Sequence, residues 1–107
     1  MDDKLGRWVK MKDLNQIQSL LSKHKEELRR KYNIKEIGVF GSYARGEQKK
    51  SSDIDILVEF KEPIGFFKFL ELEEQIGKFL GVKVDLVTKN ALKPRIGQHI
   101  LKELVAI

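Results

Sequence analysis

Hydrophobic residues recur at two different spacings along the chain, and each spacing predicts one kind of element. From Asp13 onward, apolar side chains recur every three or four residues, which predicts an amphipathic helix that ends near Lys31. Asp13 can cap this helix, with Gln16 three residues later as in a capping box. The same spacing predicts two later helices, at residues 66–80 and from about residue 92 or 94 to 105.

Shorter apolar runs rich in β-branched residues predict strands at residues 34–40, 53–60 and 82–88. A short helix is expected directly after the first strand, where Gly41-Ser42 ends the apolar run. The order is therefore helix, strand, short helix, strand, helix, strand, helix. This order is typical of an α/β or α+β domain with a small mixed central sheet flanked by helices.

Length and composition agree with one small domain. The chain has 107 residues and no cysteine, so neither a disulfide framework nor a thiolate metal site is expected. Residues 1–12 are polar and aperiodic, which suggests an N-terminal arm in front of a domain at residues 13–107. Neither a signal peptide nor an apolar run of about 20 residues is present, so we expect a cytoplasmic protein without a membrane segment.

The charge pattern adds little to the picture. The formal net charge is +5, but Lys and Arg are interspersed with Glu, as in Leu101-Lys102-Glu103. Such interspersion is typical of a well-solvated surface. Attraction of an anionic ligand such as a triphosphate is the alternative interpretation. Because no basic run is interleaved with aromatic residues, direct nucleic-acid binding is not expected.

Two acidic residues stand at alternate positions at the start of the second strand. Asp53 and Asp55 therefore face the same side, with Cα atoms roughly 6.5–7 Å apart, while Ile54 and Ile56 face the other. Two carboxylates on one face repel each other unless a cation lies between them, and Mg²⁺ prefers a few carboxylates plus phosphate oxygens. The alternative is a strand start whose aspartates merely contact water.

The turn after the first strand suggests a phosphate site. Gly41 permits close approach of a ligand to the backbone, Ser42 offers a hydroxyl and an N–H, and a helix N-terminus favours anions. The alternative is an ordinary tight turn with Ser42 as a helix cap. Asp85, in the middle of the third strand, adds a third acid if that strand borders the second, and is otherwise a solvated residue on an edge strand.

Gly41-Ser42, ten residues, and then Asp53-x-Asp55 form a motif that resembles the signature of the polymerase-beta-like nucleotidyltransferases. The run Gly-Ser-Tyr-Ala-Arg-Gly followed by Ser-Asp-Ile-Asp-Ile-Leu-Val is similar to that of the minimal nucleotidyltransferases (MNT). The resemblance implies that Gly41 and Ser42 contact the nucleotide phosphates and that Asp53 and Asp55 bind metal. It implies further that Asp85 helps to bind metal and activates the attacking hydroxyl.

The resemblance covers about residues 14–105 and implies a biological setting. Family members use ATP with one or two Mg²⁺ ions, and many are antitoxins paired with HEPN-domain ribonuclease toxins, onto a tyrosine of which some transfer AMP. The short chain leaves no room for an acceptor domain, so the acceptor is expected on a partner protein or within a homo- or hetero-oligomer. Two alternatives are an antitoxin that acts by steric contact alone and a nucleotidyltransferase that modifies a small molecule.

Several further residues have weaker interpretations. Arg45 either reaches a phosphate or braces the motif against a carboxylate, and Ser52 orients the loop before Asp53. Tyr43 is expected to pack, and His24 is expected at the edge of the core. The cluster at residues 66–69 is expected to be core or partner surface.

Overall fold

The computed structural model describes residues 12–107, so the expected N-terminal arm lies outside the described residues except for Lys12. The elements are α1 (Leu14–Tyr32), β1 (Ile34–Phe40), α2 (Ser42–Arg45), β2 (Ile54–Phe60), α3 (Phe66–Leu80), β3 (Val84–Thr88), α4 (Pro94–Glu103) and β4 (Val105–Ala106). A single 3₁₀ turn at Lys89–Ala91 joins β3 to α4. None of the helices within this part of the chain has the length and apolar character that crossing a membrane requires.

The four strands form one sheet in the order β3-β2-β1-β4. β1 is antiparallel to both of its neighbours, β2 and β4, whereas β2 and β3 are parallel. The sheet is therefore mixed, and the predicted α/β class with a small mixed sheet flanked by helices is confirmed.

Helices α1 and α3 pack against each other and cover one face of the sheet. The strand alternation sends Ile54, Ile56 and Val58 into this core, where all three are fully buried. Helix α1 begins as predicted, because the Asp13 carboxylate accepts the N–H of Gln16 and the Gln16 side chain accepts the N–H of Asp13, at 2.9 Å each.

Leu57 alternates with these core residues and therefore points to the opposite face of the sheet. There it lines a cavity of about 200 Å³ together with Leu101 and Leu104. The C-terminal segment thus lies against the face that α1 and α3 leave open, which is also the face of the aspartates on β2.

The structure departs from the predicted elements mainly at the C-terminus. β2 begins one residue late and β3 two residues late, whereas the last helix ends at Glu103 rather than at Val105. Val105 and Ala106 instead pair with Val39 and Gly38 of β1. The helix stops because the edge of β1 offers these residues backbone hydrogen-bond partners, continued by the N–H of Ile107 to the carbonyl of Ile37 at 3.0 Å.

Gly38→Ala tests this docking of the C-terminal segment. An added Cβ would lie 2.8 Å from Cδ1 of Leu104 and 3.0 Å from the carbonyl oxygen of Val105, and the oxygen cannot retreat without breaking the β1–β4 pairing. We expect a loss of about 1–3 kcal/mol in the free energy of unfolding, measured by urea denaturation.

Gly77→Ala on α3 is the matched control for this change. The nearest atom to its added Cβ lies 3.6 Å away, an ordinary contact. Because alanine is also the better helix former by about 1 kcal/mol, this variant should be at least as stable as the wild type. Equal urea midpoints for the two variants would show that Leu104 does not pack tightly on β1.

Candidate active site

The start of β2 carries the two aspartates. Ile54 and Ile56 are fully buried beneath the helices, so Asp53 and Asp55 face the open side of the sheet, where both are partly exposed. The N–H of Ile54 donates to the carbonyl of Lys83 at 2.9 Å, which ties the start of β2 to the residue before β3. The face that the alternation predicted for the two aspartates is the one observed.

Asp85 lies beside Asp55 on the neighbouring strand. The parallel β2–β3 register pairs Asp55 with Asp85, and paired Cα atoms on neighbouring strands are about 4.8 Å apart. Val84 and Leu86 are buried, so Asp85 is exposed on the same face as Asp55. The expectation that the third strand borders the second is confirmed, and β3 is also an edge strand.

Burial and the two neighbouring aspartates both act on Asp55. The pKa of Asp55 is raised first by burial and then by the negative charges of Asp85 and Asp53, while the nearby Arg45 opposes the shift. The charged form of Asp55 is thus disfavoured where the three acids meet. A bound cation at this face would remove the repulsion.

Magnesium fits this donor set only in combination with a substrate. Among residues 12–107, no group of three or more acidic, histidine or cysteine side chains is placed to hold a metal ion by itself. Mg²⁺ usually takes one or two carboxylates and completes its octahedron with waters and substrate phosphates. Asp53 and Asp55, with Asp85 adjacent, supply oxygen ligands of that kind and number.

The turn at Gly41 is pressed against Asp55. The register pairs Phe40 with Asp55, so the next residue, Gly41, passes directly beside the carboxylate. Gly41 has φ 74° and ψ −152°, and an added Cβ would overlap with the Asp55 carboxylate. Ser42 follows as the first residue of α2, which places its hydroxyl and the first-turn N–H groups at the same end of the sheet.

Arg45 is held between two carboxylates. Its Nε donates to Glu47 at 2.8 Å, and its Nη1 donates to Oε2 of Glu103 at 2.9 Å. The second carboxylate oxygen, Oε1 of Glu103, accepts the N–H of Gly41 at 3.1 Å. Of the two interpretations of Arg45, bracing against a carboxylate is therefore seen in the structure.

Glu103 is a member of this site that the charge pattern did not identify. The expectation of a solvated surface is wrong at this residue, because its side chain is only 18% exposed and lies against the turn after β1. Burial alone would raise its pKa, but the hydrogen bonds from Arg45 and Gly41 lower the pKa overall. The sequence placed Glu103 inside the predicted last helix and gave no other signal of its contact with the turn.

The structure also shows the contacts of the residues whose sequence interpretations were weaker. Tyr43 is buried, as expected of a packing residue. The Ser52 hydroxyl accepts the N–H of Lys49 at 2.8 Å and so orients the loop before Asp53. Of the aromatic cluster at residues 66–69, Phe66 and Phe67 are largely exposed. The ring of His24 stacks on Phe79 at 3.8 Å, at the edge of the core.

Residues 21–107 match the nucleotidyltransferase domain family. The chain therefore belongs to that family, and it is a nucleotidyltransferase. Within this class it is similar to the protein adenylyltransferase MntA of Thermococcus cleftensis, with 50% identity over 97 residues that cover 91% of this chain and 98% of the relative.

Solved structures give the same assignment. The chain superimposes on a structure described as a minimal nucleotidyltransferase with a TM-score of 0.74 and 30% identity, covering 92% of this chain and 100% of the other. A toxin–antitoxin crystal structure with AMP-PNP gives a TM-score of 0.66 and 27% identity, over 78% of this chain and 69% of that one. The predicted membership of the minimal nucleotidyltransferases is confirmed.

Proposed function

We propose that this chain uses Mg²⁺ and ATP to transfer AMP onto a tyrosine of a HEPN-domain toxin and thereby acts as its antitoxin. The observation that carries the proposal is the Gly41 turn in contact with Asp55, which is itself in register with Asp85. This arrangement places a turn suited to phosphate beside the acid face, which is the side of the sheet that carries Asp53, Asp55 and Asp85. The similarity to a protein adenylyltransferase and to a toxin–antitoxin structure with AMP-PNP supports the choice of nucleotide and partner.

The turn and the first residues of α2 bind the terminal phosphates in this proposal. Gly41 lets the chain pass close to the carboxylates, and Ser42 offers its hydroxyl and backbone N–H to phosphate oxygens. Arg45 adds positive charge at the same end of the site, where its side chain is 45% exposed. Together these groups would align the triphosphate over the acid face.

Asp53 and Asp55 would hold Mg²⁺ through their carboxylate oxygens. When bound, the ion neutralises the triphosphate and stabilises the charge that develops at the α-phosphorus. Asp85, exposed beside Asp55, accepts the proton of the attacking tyrosine hydroxyl. The phenolic oxygen then bonds to the α-phosphorus, the bond between the α-phosphorus and its bridging oxygen breaks, and pyrophosphate leaves with that electron pair.

The acceptor comes from another molecule. The residues that the structure describes form one sheet with its helices, and the exposed side of Asp85 faces outward from it. A tyrosine on a partner's surface can approach that side directly, as AMP transfer to a protein requires.

A transfer assay tests this proposal. The purified chain is incubated with Mg²⁺ and ATP labelled at the α-phosphate, alone and with a HEPN-domain protein, next to an Asp53→Asn control. We expect label on the HEPN protein that disappears in the control. Tight binding without label, unaffected by Asp53→Asn, would favour the steric antitoxin, and label only on added small acceptors would favour a small-molecule enzyme.

A further inference from the structure

Glu103 joins the end of α4 to the turn that follows β1. We infer that Glu103 is a positioning residue for the terminal phosphates of the nucleotide, which acts by fixing the Gly41 turn and the Arg45 guanidinium. The inference rests on the proposed function, because it concerns the same nucleotide site. It adds the C-terminal segment to the parts of the chain that determine nucleotide affinity.

The geometry of the Glu103 carboxylate carries the inference. One oxygen accepts the backbone N–H of Gly41 at 3.1 Å, and the other accepts Nη1 of Arg45 at 2.9 Å. A single side chain thus fixes both a backbone position and a cation. Both hydrogen bonds are charge-assisted, and the Glu103 side chain is only 18% exposed, so water competes weakly for the bond to the Gly41 N–H.

The backbone that carries Glu103 is anchored to the same strand that ends at Gly41. The next residue, Leu104, packs on Gly38, and Val105 pairs with Val39. These contacts hold the carboxylate at a fixed distance from the end of β1. The Glu103 carboxylate and the Gly41 turn therefore keep a fixed relative position, as a positioning group requires.

The Arg45 guanidinium needs a partner that restrains it, because the side chain is long and 45% exposed. Glu47, its other carboxylate partner, is 65% exposed and belongs to the loop just after α2, so it restrains the guanidinium less. The hydrogen bonds to Glu47 and Glu103 use Nε and one Nη1 hydrogen, and an arginine has about five N–H donors in all. The guanidinium can therefore be held by Glu103 and still donate to a phosphate.

The Glu103 carboxylate lies beside the proposed nucleotide site. Glu103 accepts the N–H of Gly41, and Gly41 is itself pressed against the Asp55 carboxylate, so Glu103 lies within one residue of the carboxylates on β2. A group that holds the terminal phosphates stabilises the bound nucleotide and the transition state to a similar extent. Loss of the Glu103 carboxylate should therefore raise KM for ATP more than it lowers kcat.

The experiment compares Glu103→Ala, Glu103→Gln, Arg45→Ala and the Glu103→Ala/Arg45→Ala double variant. For Glu103→Ala we expect KM and Kd for ATP to rise about tenfold, with kcat changed less than about threefold. Binding of AMP, which lacks the two terminal phosphates, should change little in calorimetry. Glu103→Gln keeps an acceptor for the Gly41 N–H but loses the ion pair, so its effect should be intermediate.

Additional comparisons separate positioning from a merely structural role. Glu47→Ala removes the other carboxylate of Arg45 without touching Gly41, so its KM for ATP should stay within about threefold of the wild type. If Glu103 acts largely through Arg45, the double variant should bind ATP only slightly more weakly than Arg45→Ala alone. Thermal melting of each variant reports whether the chain is folded. If Glu103→Ala does not fold, Glu103→Gln takes its place in the comparison.

Three results would overturn the inference. These are an unchanged Kd for ATP in Glu103→Ala and Glu103→Gln, an equal loss for ATP and AMP, and tighter ATP binding, which would identify Glu103 as a competitor of the phosphates. If the wild type bound ATP and transferred AMP while the Glu103 variants behaved identically, the inference alone would fail. If the wild type bound no ATP, the proposed function would fail and the inference with it.

Discussion

Asp55→Asn should reduce AMP transfer by about a thousandfold while leaving the chain folded, which is the largest effect that the site predicts. The amide would lack the negative charge by which Asp55 holds Mg²⁺ in the proposed function. Asp55 is also the acid nearest to both parts of the site, since it contacts Gly41 and pairs with Asp85. The transfer assay with labelled ATP measures the loss directly.

The stability of this variant separates lost chemistry from lost structure. Burial and the charges of Asp85 and Asp53 raise the pKa of Asp55, so its charged form is disfavoured in the folded chain without a cation. A neutral amide removes that repulsion, and the melting temperature in buffer without Mg²⁺ and nucleotide should be equal to or above that of the wild type. An added Mg²⁺–ATP mixture should stabilise the wild type far more than the variant.

Glu74→Gln is the matched control, because it makes the same change from carboxylate to amide on the exposed surface of α3, where the side chain is 71% exposed. Its activity and its melting temperature should both match the wild type. An Asp55→Asn variant with full activity would refute the assignment of Asp55 to the metal. A melting temperature well below that of the wild type would instead attribute the lost activity to unfolding.

The local elements were predictable because their signals lie within a few residues. β1 and α3 have the bounds that the apolar spacing predicted, and the capping box at Asp13 forms as expected. The acid face was predictable for the same reason, since Asp53 and Asp55 alternate with buried isoleucines. Only the family motif linked that face to the Gly41 turn, ten residues and a loop away.

The C-terminal segment could not be predicted in this way. A two-residue strand such as Val105–Ala106 is too short for alternation to be visible, and its pairing partner lies more than 60 residues earlier in the chain. Glu103 follows Lys102 in a run that is typical of a solvated helix end. Its burial depends on the docking of β4 on β1, a long-range contact that no local pattern encodes.

These long-range contacts change the interpretation of the short α2 helix. Four residues form barely one turn, and such a short helix is unstable on its own. Its first residue is preceded by a glycine in a conformation that disfavours other residues, and its last residue, Arg45, is held by Glu103. The turn at Gly41 is therefore stabilised from outside, by β1 on one side and by the end of α4 on the other.

Gly41→Ala should reduce transfer by about a hundredfold or more, the second large effect that the site predicts. At φ 74° and ψ −152°, Gly41 occupies a backbone region that is almost restricted to glycine, which costs other residues about 1–3 kcal/mol. The added Cβ would also overlap with the Asp55 carboxylate. The methyl group and the carboxylate cannot both keep their places, so either the turn or the Asp55 side chain must shift.

Gly65→Ala distinguishes the two components of this effect. Gly65 has φ 78° and ψ 164° and also precedes a helix, but an added Cβ there has no atom within 4 Å. Gly65→Ala should therefore lose about 1–3 kcal/mol in urea denaturation from its backbone conformation alone, Gly41→Ala should lose at least as much, and only Gly41→Ala should lose transfer. Transfer by Gly41→Ala at the rate of Gly65→Ala would mean that the contact between Gly41 and Asp55 is not needed for the reaction. Loss of activity in Gly41→Ala alone, with ATP binding weakened and the chain still folded, would place the nucleotide at this turn.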